Sequence, residues 1–283
     1  MRLRSLLFVP GDQPSLMAKA LRTEADALII DLEDSVATQA KPAAREAVAR
    51  FLSAPRETDK AIFVRINPVD GPLAADDLAI ILPTSPDGLV LPKAEGLASL
   101  DALAALGVAD IPVLPPILPI ATETPAAIFR LGDYARARLP LAGLTWGAED
   151  LPAAIGATTA RQADGGYTAP YQLARSLTLF GAHAAGVAAI ETVYPDFGDA
   201  EGLADYAARG RRDGFTGMMA IHPRQVPVIN AAFTPTPEEV IRAQAIVDLF
   251  AANPGAGVLQ LDGKMLDAPH LKAAQRLLAR AAP

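Results

Sequence analysis

Short apolar runs recur along the chain, and each ends in a polar, proline or glycine break. They fall at Ser5–Val9, Ala27–Leu32, Ile62–Ile66, Gly88–Leu91, Val113–Ile120, Leu141–Trp146, Ala188–Val193 and Gly217–Ile221. The runs are continuous rather than alternating, which suits strands covered on both faces, as in a parallel sheet. Between them, Ala43–Leu52, Leu97–Leu106, Ala126–Arg136 and Tyr171–Ala185 carry helical spacing. Eight strands alternating with helices over about 220 residues predict an α/β fold, a (β/α)8 TIM barrel. An open doubly wound sheet is the alternative, but it carries a glycine fingerprint after its first strand. Here that position reads Pro10-Gly11-Asp12-Gln13-Pro14. The longest connection, from the sixth run to the seventh, is loop-like around Asp164-Gly165-Gly166-Tyr167.

The barrel is expected over residues 1–233, with a C-terminal helical extension over 234–283. Thr236-Pro237-Glu238-Glu239 reads as a helix start, with Thr as N-cap, Pro at the first position and Glu at the third. That helix is expected to reach about Ala252 and stop at Asn253-Pro254-Gly255. A glycine-rich loop follows, then a last helix from about Ala268. Eight strands complete the barrel core, so the extension is expected to pack outside it or to serve as a lid on a neighbouring subunit.

Composition narrows the class. The chain has 283 residues, 51% of them hydrophobic and 20% charged, enough for a large core. Twenty-five Lys and Arg against 32 Asp and Glu leave a net charge of −7, which disfavours nucleic acid. Cysteine is absent, which removes disulfides, thiolate metal sites and Cys nucleophiles and fits a reducing compartment. The apolar run Leu6–Val9 behind Arg4 is too short for a signal peptide, and no stretch reaches the ~18 residues of a membrane span. A soluble, cytoplasmic protein without membrane or nucleic-acid partners is expected.

Catalytic groups of such barrels sit where strands end. The runs end in Asp31-Leu32-Glu33-Asp34, Arg65-Ile66-Asn67-Pro68, Pro92-Lys93, Thr122-Glu123-Thr124-Pro125, Gly147-Ala148-Glu149-Asp150, Glu191 and His222-Pro223. Asp34 and Thr124 each precede a helix or turn and suit simple capping. Asp31, Glu123 and Asp150 sit tight against apolar strand ends and converge if the barrel closes. Carboxylates without Cys or convergent His suit a hard divalent cation such as Mg2+, with Mn2+ as its substitute. His183, His222 and His270 are too widely spaced for zinc. Arg65 would set a fixed positive charge beside that cation, a suitable clamp for an enolate oxygen.

These segments carry a family resemblance. Arg4-Ser5-Leu6-Leu7-Phe8-Val9-Pro10-Gly11, Asp31-Leu32-Glu33-Asp34-Ser35-Val36, Val64-Arg65-Ile66-Asn67-Pro68, Leu91-Pro92-Lys93, Glu123-Thr124-Pro125, Gly147-Ala148-Glu149-Asp150-Leu151 and Ile221-His222-Pro223 follow one another as in the citrate lyase beta-subunit-like family. The resemblance spans the whole barrel. It implies a TIM barrel, Mg2+ dependence, and cleavage or formation of a C–C bond beside a thioester. It further implies that Glu123 and Asp150 bind the metal and that Arg65 contacts the reacting carbonyl. Asp31 and Glu33 would hold metal-bound water or position neighbours. Two positions depart from the pattern: Glu191 stands where Asp is common and is given no catalytic role, and Arg224 stands where Ser is common.

Gly263-Lys264-Met265-Leu266-Asp267-Ala268-Pro269-His270 resembles the segment of malyl-CoA and citramalyl-CoA lyases whose Asp enters a neighbouring subunit's site as acid or base. Asp267 also fits a plain N-cap of the last helix. The leading expectation is a Mg2+-dependent carbon–carbon lyase acting on a 3-hydroxyacyl-CoA through an enolate, as a homo-oligomer, trimer or hexamer. Amides around Ala148 and Glu149 would bind the substrate carboxylate, and Lys41 and Arg45 the CoA phosphates. Alternatives are a citrate lyase beta subunit acting on citryl-acyl-carrier protein, a metal-dependent aldolase on free 2-oxo acids, and a non-catalytic barrel.

Overall fold

The computed structural model describes residues 1–56, 58–107, 113–163 and 165–281. Asp164, in the expected loop, and Ala282 and Pro283, at the end of the expected extension, lie outside them. The chain divides into two compact units, essentially Leu3–Ala232 and Phe233–Pro283.

In the first unit eight strands alternate with helices. They are β1 (Ser5–Pro10), β2 (Ala27–Asp31), β3 (Ala61–Arg65), β4 (Gly88–Leu91), β5 (Ile117–Pro119), β6 (Gly143–Thr145), β7 (Ala188–Glu191) and β8 (Gly217–Ala220). The helices are α1 (Pro14–Ala20), α2 (Lys41–Ser53), α3 (Ala74–Ile81), α4 (Leu97–Ala105), α5 (Pro125–Ile128), α6 (Asp150–Ile155), α7 (Ala169–Ala185), α8 (Ala200–Asp213) and α9 (Gln225–Phe233). The strands are parallel in the order β5-β4-β3-β2-β1-β8-β7-β6. Parallel bridges Ile117↔Leu141 and Ile120↔Thr145 join the two edges and close the barrel.

β5 and α5 are much shorter than the segments that predict them. β5 begins only at Ile117 because Pro115 and Pro116 have no N–H to give the ladder. The helix expected over Ala126–Arg136 stops at Ile128, and a 3-10 turn over Leu131–Arg136, containing Gly132, completes the stretch.

Strand periodicity decides what faces inward. Leu6, Ala27, Ile29, Ala61, Phe63, Val90, Leu118, Ile190 and Met219 pack together as the barrel interior. Side chains alternate along a strand, so Asp31, two residues beyond Ile29, and Arg65, two beyond Phe63, continue the inward set to its carboxyl end. Glu191 follows inward-facing Ile190 and belongs to the outer face.

The second unit is not all-helical. Between α10 (Pro237–Ala252) and α11 (Ala268–Ala281) lies an antiparallel hairpin of β9 (Val258–Leu261) and β10 (Lys264–Asp267). Its two turn residues, Asp262 and Gly263, have φ of 52° and 74°, the doubly left-handed conformation that favours Asp-Gly. The capping box at Thr236 and Glu239 forms as its sequence predicts. Ala243, Ile246, Leu266 and Ala274 make a small core of this unit's own, with Phe250, Leu261 and Leu277 against it. Among the described residues no helix is long and apolar enough to cross a membrane.

Candidate active site

The carboxyl ends of the strands line a cavity of about 450 Å³. Asp31 and Arg65 are register partners on β2 and β3. The guanidinium grips the carboxylate with both prongs, Nε–H to Oδ1 at 2.6 Å and Nη2–H to Oδ2 at 2.7 Å. Asp31 also accepts the N–H groups of Glu33 and Ser35 at 2.9 and 3.0 Å. Burial pushes the Asp31 carboxyl up, but these bonds and the Arg65 charge outweigh it, and its pKa lies below the ordinary value. Arg65 stays protonated throughout, held by Asp31 and Glu33 against burial, and its guanidinium carbon stands 5.0 Å from the Phe8 ring centre. The ion pair fixes the plane in which Arg65 can meet a ligand.

Lys93 belongs to the same cluster, although its place at a strand end gives it no role in advance. Its Nζ donates to Glu33 Oε1 at 2.6 Å and lies 3.6 Å from Asp150 Oδ1. Its backbone N–H donates to Glu123 Oε2 at 2.6 Å, which its left-handed φ of 50° permits. Such a conformation costs a non-glycine residue about 1 kcal/mol or more. The side chain opposes burial with Glu33, Glu123 and Asp150 around it and stays charged.

Glu123 follows β5 and is buried. Burial, then the charges of Asp150 and Glu33, push its pKa up to about 8, against the Lys93 N–H and ammonium. Burial raises Glu33 as well, against Arg65 and Lys93. Glu33 Oε2 has no hydrogen bond, although Arg65 Nη1 is 2.8 Å away. The loop carrying Asp150 is clamped to the Glu123 segment: Gly147 N–H donates to Thr122 Oγ1 at 3.0 Å, and the Thr122 hydroxyl donates to Gly147 O at 3.2 Å. A Cβ on Gly147 would stand 2.6 Å from Glu123 Cγ, so only glycine allows this approach.

These residues fit a hard divalent ion. Glu123 and Asp150 line the same cavity, and a +2 charge there would keep Glu123 ionised against its raised pKa. Glu33, behind the cavity wall, holds Arg65 and Lys93 through ion pairs of 2.8 and 2.6 Å. Among the described residues no three His, Cys, Asp or Glu side chains form a ligand cluster. Two carboxylates completed by water would be a pattern that Mg2+ accepts.

The structure brings Asp31, Glu33, Arg65, Glu123, Ala148, Glu149 and Asp150 to this end of the barrel, all but Glu33 on the cavity wall itself. Lys41 and Arg45 do not present their charges to a ligand, which corrects the expected phosphate contact. Lys41, 6% exposed, donates to the carbonyls of Leu32 and Glu33 and to Asn67 Oδ1 at 2.7 to 2.8 Å. Arg45, 4% exposed, is paired with Asp77 at 2.6 Å and Asp76 at 3.3 Å. Both brace the loops after β2 and β3 from below. Thr124 caps α5 by accepting Ala127 N–H. In the second unit, Asp267 closes β10 and bonds the His270 ring, which lowers its carboxyl pKa.

Residues 4–223 match the model of the HpcH/HpaI aldolase/citrate lyase family. The chain belongs to this family. Within it, the chain is 36% identical to a citrate lyase subunit beta-like protein of Mycobacterium tuberculosis, over 97% of this chain and 94% of that one. It is 32% identical to a (3S)-malyl-CoA thioesterase of Cereibacter sphaeroides, over 98% and 94%. Its fold matches a crystal structure of the protein CitE from Mycobacterium tuberculosis in complex with magnesium, acetoacetate and coenzyme A, with a TM-score of 0.82, 34% identity, and coverage of 99% of this chain and 98% of that one. Family membership agrees with the ordered motifs from Arg4 to Pro223 and with the eight-stranded barrel.

Proposed function

We propose that this protein is a Mg2+-dependent carbon–carbon lyase that cleaves or forms a 3-hydroxyacyl-CoA thioester such as malyl-CoA or citramalyl-CoA. The observation that carries the reading is the cavity wall itself. A guanidinium locked by Asp31 shares it with two carboxylates, Glu123 and Asp150, suited to one hard cation. The CitE neighbour with magnesium, acetoacetate and coenzyme A supports both the cation and the thioester.

Glu123 and Asp150 would hold the Mg2+, with Glu33 and Asp31 bonding its water or holding Arg65 in place. When bound, the ion acts as a Lewis acid on substrate oxygen. Arg65 donates to the oxygen of the oxo-acid half, where charge develops as the C–C bond breaks. In cleavage the hydroxyl gives up its proton and the bonding pair moves onto the acyl carbon as a thioester enolate. That carbon then takes a proton, leaving an oxo acid and a shorter acyl-CoA. Asp267 of a neighbouring subunit is the proposed acid or base, which makes the active form a homo-oligomer. Backbone N–H groups around Ala148 and Glu149 would receive the substrate carboxylate.

Turnover of malyl-CoA, methylmalyl-CoA and citramalyl-CoA, with and without EDTA, tests the reading. Citryl-acyl-carrier protein and free 2-oxo-acid aldols are the controls. Metal-dependent cleavage of a CoA thioester is expected. Activity on the carrier-protein thioester alone would favour a citrate lyase beta subunit, and activity on free acids alone an aldolase. Release of free CoA would mark thioester hydrolysis as a further step.

A further inference from the structure

Glu191, at the end of β7, is fully buried on the outer face of the barrel. Its Oε1 accepts Trp146 Nε1–H at 2.5 Å, the Tyr206 hydroxyl at 2.9 Å and Thr192 N–H at 3.0 Å. Its Oε2 accepts Arg175 Nε–H at 2.7 Å, and Arg175 also pairs with Asp213 at 2.7 Å. Four donors, two from helices α7 and α8 and two from the ends of β6 and β7, converge on one carboxylate. Two of them adjoin the cavity. Trp146 immediately precedes Gly147, and the cavity wall runs from Gly147 to Asp150; Thr192 is itself part of that wall. The Trp146 ring is further packed by Tyr167, edge-on at 5.0 Å.

The loop bearing Asp150 is thus held at two points. One is the Thr122–Gly147 clamp beside Glu123; the other is the Glu191–Trp146 bond one residue earlier. The first sets how closely the loop approaches Glu123. The second keeps the β6 end from rotating about that clamp. We propose that Glu191 is a positioning residue of the metal site: by holding Trp146 and Thr192 together it fixes the loop that places Asp150 opposite Glu123. It touches neither metal nor substrate. The proposal rests on the Mg2+ reading above. It also gives a use to the departure from the family pattern, since aspartate is one methylene shorter and could not reach the same four donors from this backbone.

Trp146 is the only tryptophan, so its emission reports this bond directly. The experiment compares wild type with Glu191→Gln and with Trp146→Phe, which keeps one aromatic ring and removes the indole donor together with part of the ring volume. Mg2+ affinity of each is read by calorimetry, folding by urea titration, and Trp146 emission in wild type and Glu191→Gln. Partners that orient metal ligands are commonly worth 10- to 100-fold in metal affinity. We expect both variants to weaken Mg2+ binding about tenfold while still folded, and Glu191→Gln to shift Trp146 emission. Should Glu191→Gln fail to fold, Trp146→Phe alone decides. Unchanged Mg2+ affinity in the folded variants overturns the positioning role and leaves Glu191 a packing residue. Wild type that binds Mg2+ but cleaves no thioester overturns the lyase reading and leaves this proposal to stand on the affinities; wild type that binds no Mg2+ overturns both.

Discussion

Replacing Arg65 by lysine separates its chemical role from its structural one. Arginine spans both oxygens of Asp31 at 2.6 and 2.7 Å and reaches Glu33 at 2.8 Å. Lysine keeps the charge but not the planar fork, and cannot grip Asp31 while meeting a substrate oxygen. A well-placed donor to developing oxyanion charge is worth about 3 to 4 kcal/mol, a loss of 10²- to 10³-fold in kcat. The structural cost is smaller, because Asp31 keeps two backbone N–H bonds and a nearby ammonium. Removing the charge altogether, as in Arg65→Met, approaches the ~3 to 5 kcal/mol of a broken buried pair. The sign with pH follows from the lowered Asp31 pKa. Its stabilisation is full above the unfolded value and lost as pH falls through the folded one. Arg65→Met should therefore flatten the acid limb of the stability curve. Steady-state kinetics at saturating Mg2+ and urea melts at pH 7 and pH 3 are the assays. A kcat within threefold of wild type in Arg65→Lys would refute the oxyanion role.

Further outcomes are expected at the same site. Glu123→Gln and Asp150→Asn should each abolish metal-dependent turnover with the fold intact, and calorimetry should show weakened Mg2+ binding. Gly147→Ala, whose Cβ would meet Glu123 Cγ at 2.6 Å, should displace Glu123 and weaken Mg2+ binding at least tenfold. Without metal, a carboxyl raised to about 8 contributes stability below its unfolded pKa that is lost as pH rises through about 8. Mg2+ suppresses that loss, so the difference in melting temperature between Mg2+ and EDTA should widen from pH 6 to pH 9; a constant difference would contradict it. Mixing inactive Asp267→Asn and Glu123→Gln subunits should restore part of the activity if Asp267 serves a neighbour. Full activity of Asp267→Asn by itself would leave that residue a helix cap bonded to His270.

The barrel is legible in the sequence because burial on both faces leaves a strong trace: eight predominantly apolar runs, each closed by a break. Strand length is less so. The run Val113–Ile120 is mostly apolar, yet its prolines delay pairing until Ile117, a backbone effect that hydropathy alone does not register. The hairpin in the C-terminal unit escapes the same reading for the opposite reason. Its strands are short and half-exposed, so they carry little apolar signal. The Asp262-Gly263 turn, a strong hairpin cue, merges with the glycine-rich stretch around it.

The site shows the same division between what a strand end displays and what a helix face conceals. Asp31, Arg65, Glu123 and Asp150 stand out because a buried strand delivers whatever follows it to the mouth of the barrel. Lys41 and Arg45 mislead because cations beyond a strand end invite a phosphate. Their spacing points the other way: Lys41, Ala44, Arg45, Val48 and Leu52 fall at i, i+3, i+4, i+7 and i+11, the buried stripe of α2. A charge inside such a stripe must find a partner within the protein, and Asn67 and Asp77 supply it. Lys93 stays hidden because a lysine after a proline looks like a loop residue, and lysine, unlike Gly, Asn or Asp, gives no sign of a left-handed backbone. Charge position relative to apolar periodicity, more than charge itself, therefore separates residues that meet a ligand from residues that hold the loops in place.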